Sequence, residues 1–296
     1  MLFITWLLLF IADPNQAKAL LQKGLLALQH GQLSEARSDL EQASQIDSAN
    51  PYVWTSLAET YLRTGEFEKA ETAAGKAEQT GGKNPVVVHA LGLFSFHYAE
   101  VLLRKQDFTH AADVLSRAVK DDPRNAQLVL ALGVARYGQR RFEEAITSFL
   151  TVIQIDPTIE QPYVFLSKML DQAGPHLAEI TKDCEAWIAA EPQNPKASLV
   201  LAKVLLASDP RSARAADLLR RSIALDPNDW ESHYELGVML AGTHDYPNAV
   251  SELTRSIELN AKEPMPHYHL ARVYERLGEP EKAKAERAIH QQLTGH

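Results

Sequence analysis

Apolar side chains recur at helical spacing along most of this chain, and between Pro51 and Asn84 they form two stripes. The stripes are Trp54, Leu57, Ala58, Tyr61 and Leu62, then Phe67, Ala70, Ala74 and Ala77. The first follows an i, i+3, i+4, i+7, i+8 pattern, which is one face of an α-helix. Because Thr64-Gly65-Glu66 interrupts the pattern, we predict a helix-turn-helix hairpin whose apolar faces must pack against neighbours.

The hairpin pattern repeats with a period close to 34 residues from Ala17 to Leu293. The predicted repeats are 17–50, 51–84, 85–125, 126–159, 160–194, 195–229, 230–263 and 264–293. Asn-Pro or Asp-Pro steps stand near several boundaries, as at Asn50-Pro51 and Asp122-Pro123. A residue before proline avoids the α region, so each of these steps is predicted to end a helix.

Small residues occupy two positions of the repeat almost throughout. The eighth residue of successive repeats is Gly24, Ala58, Gly92 or Ala99, Gly133, Ser167, Ala202, Gly237 and Ala271. A second series, near the twentieth residue, is Ala36, Ala70, Ala111, Ala145, Ile180, Ala215, Ala249 and Ala283. We expect the two helices of each hairpin to cross here, because close backbones leave no room for a long side chain.

In its period, its two helices per unit and these small residues, the chain resembles the tetratricopeptide repeat family over nearly its whole length. The second repeat carries the family pattern with Trp54, Leu57, Ala58, Tyr61, Gly65, Ala70 and Ala77, followed by Pro85. The resemblance implies an all-α, right-handed superhelical solenoid of about eight helix-turn-helix repeats over residues 17–293. It also implies that the first helix of each repeat, called helix A below, lines a concave groove that binds partner peptides.

Three repeats differ from the regular length. The third has seven extra residues, about two helical turns, so we predict a lengthened helix A that runs unbroken through Phe96, Tyr98 and Leu102. The fifth and sixth each have one extra residue, which we place in the turns near 172–177 and 206–212. That register predicts a buried stripe on the following helix of the fifth repeat, formed by Leu177, Ile180, Cys184 and Trp187.

Residues 1–16 stand apart as a hydrophobic N-terminal segment. Residues 2–12 read LFITWLLLFIA, in which Thr5 is the only polar residue. Eleven helical residues span roughly 16 Å, about half of a bilayer core, and this length matches the apolar part of a signal peptide. We therefore expect a signal peptide or anchor, which predicts an exported protein that is periplasmic, secreted or membrane-anchored.

The flanks of this segment fit a signal peptide less well. No basic residue precedes it, since the first is Lys18, and Phe10 stands where a cleavage site requires a small residue. The alternatives are a start codon placed inside a longer signal or anchor, and a cap packed on the first repeat. If the segment is not a working signal, we expect a cytoplasmic protein.

Composition and motifs argue against catalysis and against nucleic-acid binding. The formal net charge is −8, whereas phosphate contacts require a surplus of Lys and Arg. Sequence motifs of P-loops, dinucleotide-binding folds, zinc proteases and serine hydrolases are absent. The single cysteine, Cys184, excludes an internal disulfide, and His267 and His269 are too far apart around a helix to ligate one ion. We predict a non-enzymatic protein without cofactor or metal.

The groove positions implied by the resemblance carry an excess of basic residues. The basic ones are Lys18, Arg63, Lys168, Lys196, Lys203, Arg272 and Arg276, and the acidic ones are Glu59, Asp171, Glu231 and Glu275. Aromatic and arginine side chains are frequent energetic anchors of interfaces. The predicted partner-binding site therefore combines charge from three residues with apolar contact from two, namely Lys168, Lys203 and Arg272 with Tyr234 and Tyr268. The alternative is that these are ordinary solvated side chains.

The function expected from this reasoning is a protein-protein interaction scaffold that binds an acidic or carboxylate-ended partner segment. If the N-terminus is a signal, the scaffold would work in a bacterial cell envelope, touching the membrane only through that segment if it stays uncleaved. No Asn stands at the ninth position of any repeat, so the family's chaperone-binding clamp is absent. Two alternatives stay open: a self-associating structural subunit, and an enzyme or small-ligand binder with an unrecognised site.

Overall fold

The computed structural model describes residues 13–295, and within that range the chain forms sixteen α-helices and no β-strand. The helices are α1 Pro14–Gln29, α2 Leu33–Ile46, α3 Pro51–Thr64, α4 Phe67–Gly81, α5 Pro85–Arg104, α6 Phe108–Asp121, α7 Ala126–Gly138, α8 Phe142–Ile155, α9 Gln161–Ser167, α10 Leu177–Ala190, α11 Pro195–Ser208, α12 Ala213–Leu225, α13 Trp230–Gly242, α14 Tyr246–Leu259, α15 Pro264–Arg276 and α16 Pro280–Thr294. The all-α prediction is confirmed. The predicted signal at 1–12 lies outside the described residues.

The helices belong to two compact units. The first unit contains α1 to α7, and the second begins at Phe142 and contains α8 to α16. Within each unit, consecutive helices joined by short turns pack together, as α1 does with α2, α3 with α4, α13 with α14 and α15 with α16. Each of these pairs falls inside one predicted repeat, except that α1 begins three residues before Ala17.

The proline steps act at both ends of helices. Asn50, Asn84 and Asn194 each precede a proline at the start of a helix, and each side chain accepts a hydrogen bond from a backbone N–H of the first turn. These asparagines are N-caps, which satisfy donors that have no partner within the helix. Asp122 and Asp226 instead follow the last residues of α6 and α12. These Asn-Pro steps thus open a helix, whereas these Asp-Pro steps close one, so our prediction that each step ends a helix is wrong for the Asn-Pro steps.

The small residues lie where the two helices of a hairpin cross. A Cβ atom added to Gly24 would stand 2.7 Å from Cγ of Leu40, and one added to Gly237 would stand 2.7 Å from Cγ of Leu253. Both leucines belong to the second helix of the same hairpin and are fully buried. The residues of the second small series are also fully buried, namely Ala36, Ala70, Ala111, Ala145, Ile180, Ala215, Ala249 and Ala283.

Helix α5 is the longest of the described helices, with 20 residues from Pro85 to Arg104, as predicted. The structure also resolves which small residue occupies its crossing. Gln106 has a positive φ of 60° and ends the hairpin turn, seven residues after Ala99, the same spacing that separates Gly24 from Gly31. Ala99 is fully buried. The extra two turns therefore lie before this crossing, in the N-terminal part of α5.

The composition of α5 alone would suit a membrane span, since its mean hydropathy is 1.6 and it is long enough to cross a bilayer core. In the structure this helix packs against α3, α4, α6 and α7. Phe94, Tyr98 and Leu102 contribute to the buried core of the first unit. Packing between neighbouring hairpins therefore accounts for part of its apolar character, while Val86 and Leu93 stay exposed.

The fifth repeat departs from our prediction of a full helix A with one extra residue in the turn. Helix α9 ends at Ser167, and two short 3₁₀ turns, Leu170–Gln172 and Gly174–His176, lead to α10. Pro175 has no N–H and disfavours the α region for the residue before it. Pro175 lies in the second of these turns, and the first closes with an i to i+3 bond of 3.1 Å from the Ala173 N–H to the Leu170 carbonyl.

The other register predictions for these repeats agree with the structure. The extra residue of the sixth repeat lies in the turn after Ser208, within the predicted segment 206–212. In α10, Ile180, Cys184 and Trp187 are buried, while Leu177 is half-buried at the first turn. Burial raises the pKa of the Cys184 thiol to about 12, so this cysteine is an unreactive core residue.

Two glycine substitutions test the crossing. Gly237→Leu should lower the free energy of unfolding by roughly 1–3 kcal/mol or more, because its side chain would overlap the buried Leu253. Gly75→Leu is the matched control, since Gly75 lies within α4 and an added Cβ meets no atom within 4 Å. Its better helix propensity should leave stability unchanged or raise it by up to about 1 kcal/mol. Urea denaturation measures both, and equal stability of the two variants would contradict the crossing.

Candidate partner-binding surface of the second unit

All five predicted site residues lie in the second unit, but the structure divides them between two places. Lys168 directly follows α9, and Lys203 lies in α11. These two lysines line one cavity of about 230 Å³. Tyr234 in α13 and the pair Tyr268 and Arg272 in α15 form a separate group at the last two hairpins.

Lys203 is held by two carboxylates of the next helix A. Its Nζ lies 2.5 Å from Oε1 of Glu231 and 3.7 Å from Oε1 of Glu235. The Lys203 side chain keeps only 15% of its surface exposed. Burial raises the pKa of Glu235, and the charge of Lys203 opposes that rise. Lys203 therefore serves chiefly to pair α11 with α13, and its charge is already compensated within the protein.

The cavity beside Lys168 is close to electrically balanced. Its wall contains Lys168 and Lys203 together with the acidic residues Asp171 and Glu235. The Lys168 ammonium also lies 5.9 Å from the centre of the Phe165 ring, at the outer limit of a cation–π contact. Basic and acidic groups thus oppose each other here, and the wall offers an anion little net attraction.

The second group forms a continuous series of ring contacts, which we call the aromatic row: Tyr234, His269, Tyr268 and Arg272. The His269 ring meets Tyr234 edge-on at 5.6 Å and Tyr268 at 5.2 Å, and the Arg272 guanidinium lies 5.7 Å from the Tyr268 ring. Burial raises the pKa of Tyr234 to about 12, whereas Tyr268 keeps 37% of its surface exposed. The Tyr268 ring also contacts the His290 ring of α16, at 5.5 Å. The row therefore offers a partner the exposed part of the Tyr268 ring beside a cation.

Next to the aromatic row lies a cavity of about 350 Å³, which we call the arginine cavity. Its polar wall is His244, Tyr246, His269, Arg272 and Arg276, and its apolar wall includes Val238, Ala241 and Val273. In contrast to the Lys168 cavity, no carboxylate of the described residues lines it. Burial, followed by the charge of Arg272, lowers the pKa of His269, so the neutral ring is favoured there.

The repeat pattern places Arg276 only among the groove positions, and the sequence suggests His269 only as a candidate metal ligand, which its spacing from His267 excludes. His267 and His269 do point to different partners: Nδ1 of His267 lies 2.6 Å from Glu286 of α16, while His269 contacts the two tyrosines. Within residues 13–295, no three His, Cys, Asp or Glu side chains are placed to hold a metal ion. The useful sequence signal is the spacing of His269, Arg272 and Arg276, which places all three on one side of α15.

Removing Lys203 tests its role in pairing the helices. Lys203→Gln should lower the free energy of unfolding by about 1–3 kcal/mol, less than for a fully buried pair because the site is partly solvated. The loss of the lysine charge should raise the pKa of Glu235 further, since burial then acts unopposed. A carboxyl group whose pKa is raised by folding destabilises the protein only where it is ionised. The deficit should therefore be largest near about pH 7 and shrink toward about pH 4.

The matched control for this measurement is Lys262→Gln, which removes the same charge from an exposed residue in the turn before α15. Its stability should stay within about 0.5 kcal/mol of the parent. If Lys203→Gln behaves like this control at both pH values, the two carboxylates do not depend on Lys203.

Comparison with known proteins supports the repeat assignment. Family models described as tetratricopeptide repeat match residues 27–91, 99–158 and 211–264, which together make up more than half of the chain. BBSome complex member BBS4 of Bos taurus is 21% identical over 221 residues, covering 75% of this chain and 41% of that protein. Hsp70-Hsp90 organizing protein 2 of Arabidopsis thaliana is 25% identical over 184 residues, covering 59% of this chain and 31% of that protein. The chain thus spans less than half the length of these relatives.

Solved structures share the fold at low sequence identity. PilW, a type IV pilus biogenesis factor, aligns with a TM-score of 0.57 at 18% identity, over 68% of this chain and 92% of PilW. A chain of the APC/C Cut9–Hcn1 complex aligns with a TM-score of 0.54 at 16% identity, over 89% of this chain and 50% of that one. The helix pairs, the matched models and these structures agree, and the chain belongs to the tetratricopeptide repeat family.

Proposed function

We propose that this protein is a non-enzymatic scaffold that binds a segment of a partner protein, and that the aromatic row is the main contact. The observation that carries the proposal is the exposed Tyr268 ring, supported from behind by His269 and flanked by the Arg272 guanidinium. Rigid aromatic side chains beside an arginine lose little entropy on binding and supply large contact areas. A peptide backbone or an apolar side chain can pack on the ring while an acidic group meets the guanidinium.

The distribution of charge favours an acidic partner segment. Arg272 and Arg276 form no ion pair within the described residues 13–295, whereas Lys203 is already paired with Glu231. Among the predicted site residues, the attraction for an anion is therefore strongest beside Arg272, whose cavity has no carboxylate in its wall, and weaker near Lys168, where Asp171 lies in the same wall. The net charge of −8 opposes nucleic acid as the partner.

The matched relatives give general support to a scaffold. Two of them are by name a complex member and an organizing protein, and PilW is named as a pilus biogenesis factor. These roles belong to those proteins. Most of the length of the first two lies outside the matched part, whereas PilW is matched over 92% of its chain. They favour a role in assembling other proteins over a catalytic role, and they leave the partner to be identified by experiment.

The proposal is tested with a peptide library displayed on phage and selected against the full-length protein. Selected peptides should be enriched in Asp and Glu, and their binding should be measured by fluorescence anisotropy at low and physiological salt. Arg272→Glu should weaken binding by at least about tenfold, because it replaces a charge-assisted contact with repulsion. Tyr268→Ala should weaken binding at both salt concentrations, since it removes apolar contact area that salt does not screen.

Two controls keep this test specific. Lys262→Glu makes the same charge reversal outside the row and should change binding by less than about threefold. Lys168→Glu reverses the charge of the exposed one of the two predicted lysines, and it should weaken binding less than Arg272→Glu does. Unchanged binding of Arg272→Glu and Tyr268→Ala, or a library without acidic enrichment, would contradict the proposal.

We also propose that residues 1–12 direct export, so that the scaffold works in the cell envelope or outside the cell. The support is the run of eleven residues in which only Thr5 is polar. Intact-mass measurement on protein from the native host should show loss of the first 12 to about 17 residues, or a full-length species in the membrane fraction. A full-length species that is soluble in the cytoplasm would contradict export.

A further inference from the structure

The arginine cavity differs from the other parts of the second unit in how its charges are arranged. Arg272 and Arg276 are one helical turn apart, so two positive side chains lie on the same side of α15. Glu275, the acidic residue adjacent to Arg276, points elsewhere, since its Oε1 lies 2.5 Å from Arg287 of α16. Several other arginines of the unit have acidic partners, as Arg214 has in Glu185 and Arg255 in Glu258. Neither cavity arginine has an acidic partner among the described residues. Their neighbours in the cavity include His244 and His269, and Arg272 also contacts the Tyr268 ring.

This arrangement is unfavourable for the protein alone. Like charges at i and i+4 repel each other and destabilise a helix. The charge of Arg272 also acts on His269, where it adds to burial in disfavouring the protonated ring. A group with negative charge placed in the cavity would remove both penalties. The cavity therefore has the electrostatics of a site whose anion comes from outside the chain.

The polar groups of the cavity are hydrogen-bond donors. Each guanidinium presents several N–H groups in a fixed plane. Nδ1 of His244 lies 2.8 Å from the hydroxyl of Tyr246. If that hydroxyl donates to Nδ1, the neutral His244 ring carries its own proton on Nε2, where it is a further donor. Donors then outnumber the two oxygens that one carboxylate can offer.

We propose that the arginine cavity binds a phosphate monoester or inorganic phosphate. Such a group carries nearly two negative charges and three strong acceptor oxygens, which match two guanidinium groups and the ring N–H of His244. Arginine favours phosphate because its planar fork can donate two parallel hydrogen bonds. The volume of about 350 Å³ leaves room for the carbon atoms that carry the ester, beside Val238, Ala241 and Val273.

This inference deepens the proposed function, because Arg272 belongs to both the aromatic row and the cavity. The proposal of phosphate binding nevertheless depends only on the residues of the arginine cavity. Phosphate binding can be measured without any partner protein. If the partner of the scaffold carries a phosphate group, the cavity binds that group next to the aromatic row. If the ligand is a free phosphate, the cavity is a small-anion site next to the partner surface.

The test is a titration of the full-length protein with inorganic phosphate, O-phosphoserine amide and glycerol phosphate at constant ionic strength. Binding is followed through the ring C–H signals of His244 and His269 in NMR spectra. We expect saturable movement of both signals with all three probes. Tighter binding of O-phosphoserine amide assigns the site to phosphorylated protein segments, tighter binding of glycerol phosphate assigns it to lipid-type esters, and equal affinities assign it to free phosphate.

The decisive variant is the double substitution Arg272→Gln with Arg276→Gln, which should weaken phosphate binding by roughly ten- to hundredfold. The matched control is Lys262→Gln with Lys284→Gln, which removes the same charge from exposed residues outside the cavity. This control should bind within about twofold of the parent. Replacing both arginines by lysine should restore part of the affinity, since it returns charge without the planar fork.

Three results would overturn the proposal. The first is that the His244 and His269 signals show no saturable shift at phosphate concentrations up to that of the buffer salt. The second is equal movement with acetate and chloride, which would indicate screening alone. The third is equal weakening by the control pair, which would indicate long-range charge. Phosphate binding that persists when no peptide is captured would sustain this site and count against the proposed scaffold function, so the two hypotheses fail separately.

Discussion

The close crossing of two helices within each hairpin is the contact on which the rest of this structure depends. At Gly24 and Gly237 the leucine of the second helix leaves no room for a Cβ atom, so its side chain packs directly on the backbone of the first helix. This approach buries alanines of the second helix completely, as at Ala36 and Ala249. It also fixes the rotation of both helices, and thereby decides which side chains point to the next hairpin and which stay exposed.

Much of the hairpin register could be predicted because its determinants are local in the chain. Small residues, Asn-Pro caps and apolar spacing each act within a few residues, so a repeated sequence carries them visibly. The turns were less predictable, since Gln106, Arg140 and His244 adopt the positive φ that glycine adopts at Gly31, Gly65 and Gly278. The early end of α9 is also hard to predict, because Pro175 lies eight residues after Ser167 and acts directly only on Asp171 and Gly174.

The candidate site was less accessible to prediction because availability of a charge is a tertiary property. Lys203 and Arg272 hold equivalent positions in their repeats, yet Lys203 meets Glu231 and Glu235 of the following repeat. Those partners are 28 and 32 residues away in the sequence, so counting charges along one helix cannot reveal them. Burial adds to this difference between Lys203 and Arg272. Only 15% of the Lys203 side chain is exposed, and its ammonium group is already paired, so it attracts a partner only weakly.

The crossing and the proposed binding surface use different residues, and this separation has a physical consequence. Ala271 and Leu270 of α15 are buried and serve packing, while Tyr268, Arg272 and Arg276 of the same helix are exposed. In a repeat array each hairpin is stabilised mainly by its neighbours, so exposed residues can change with little effect on the fold. A pair of unpaired arginines is tolerated there because solvent screens its repulsion. The electrostatic attraction of the same two arginines is strongest for an anion that displaces this solvent. Exposed arginines without an acidic partner therefore contribute to recognition of an anion rather than to stability of the fold.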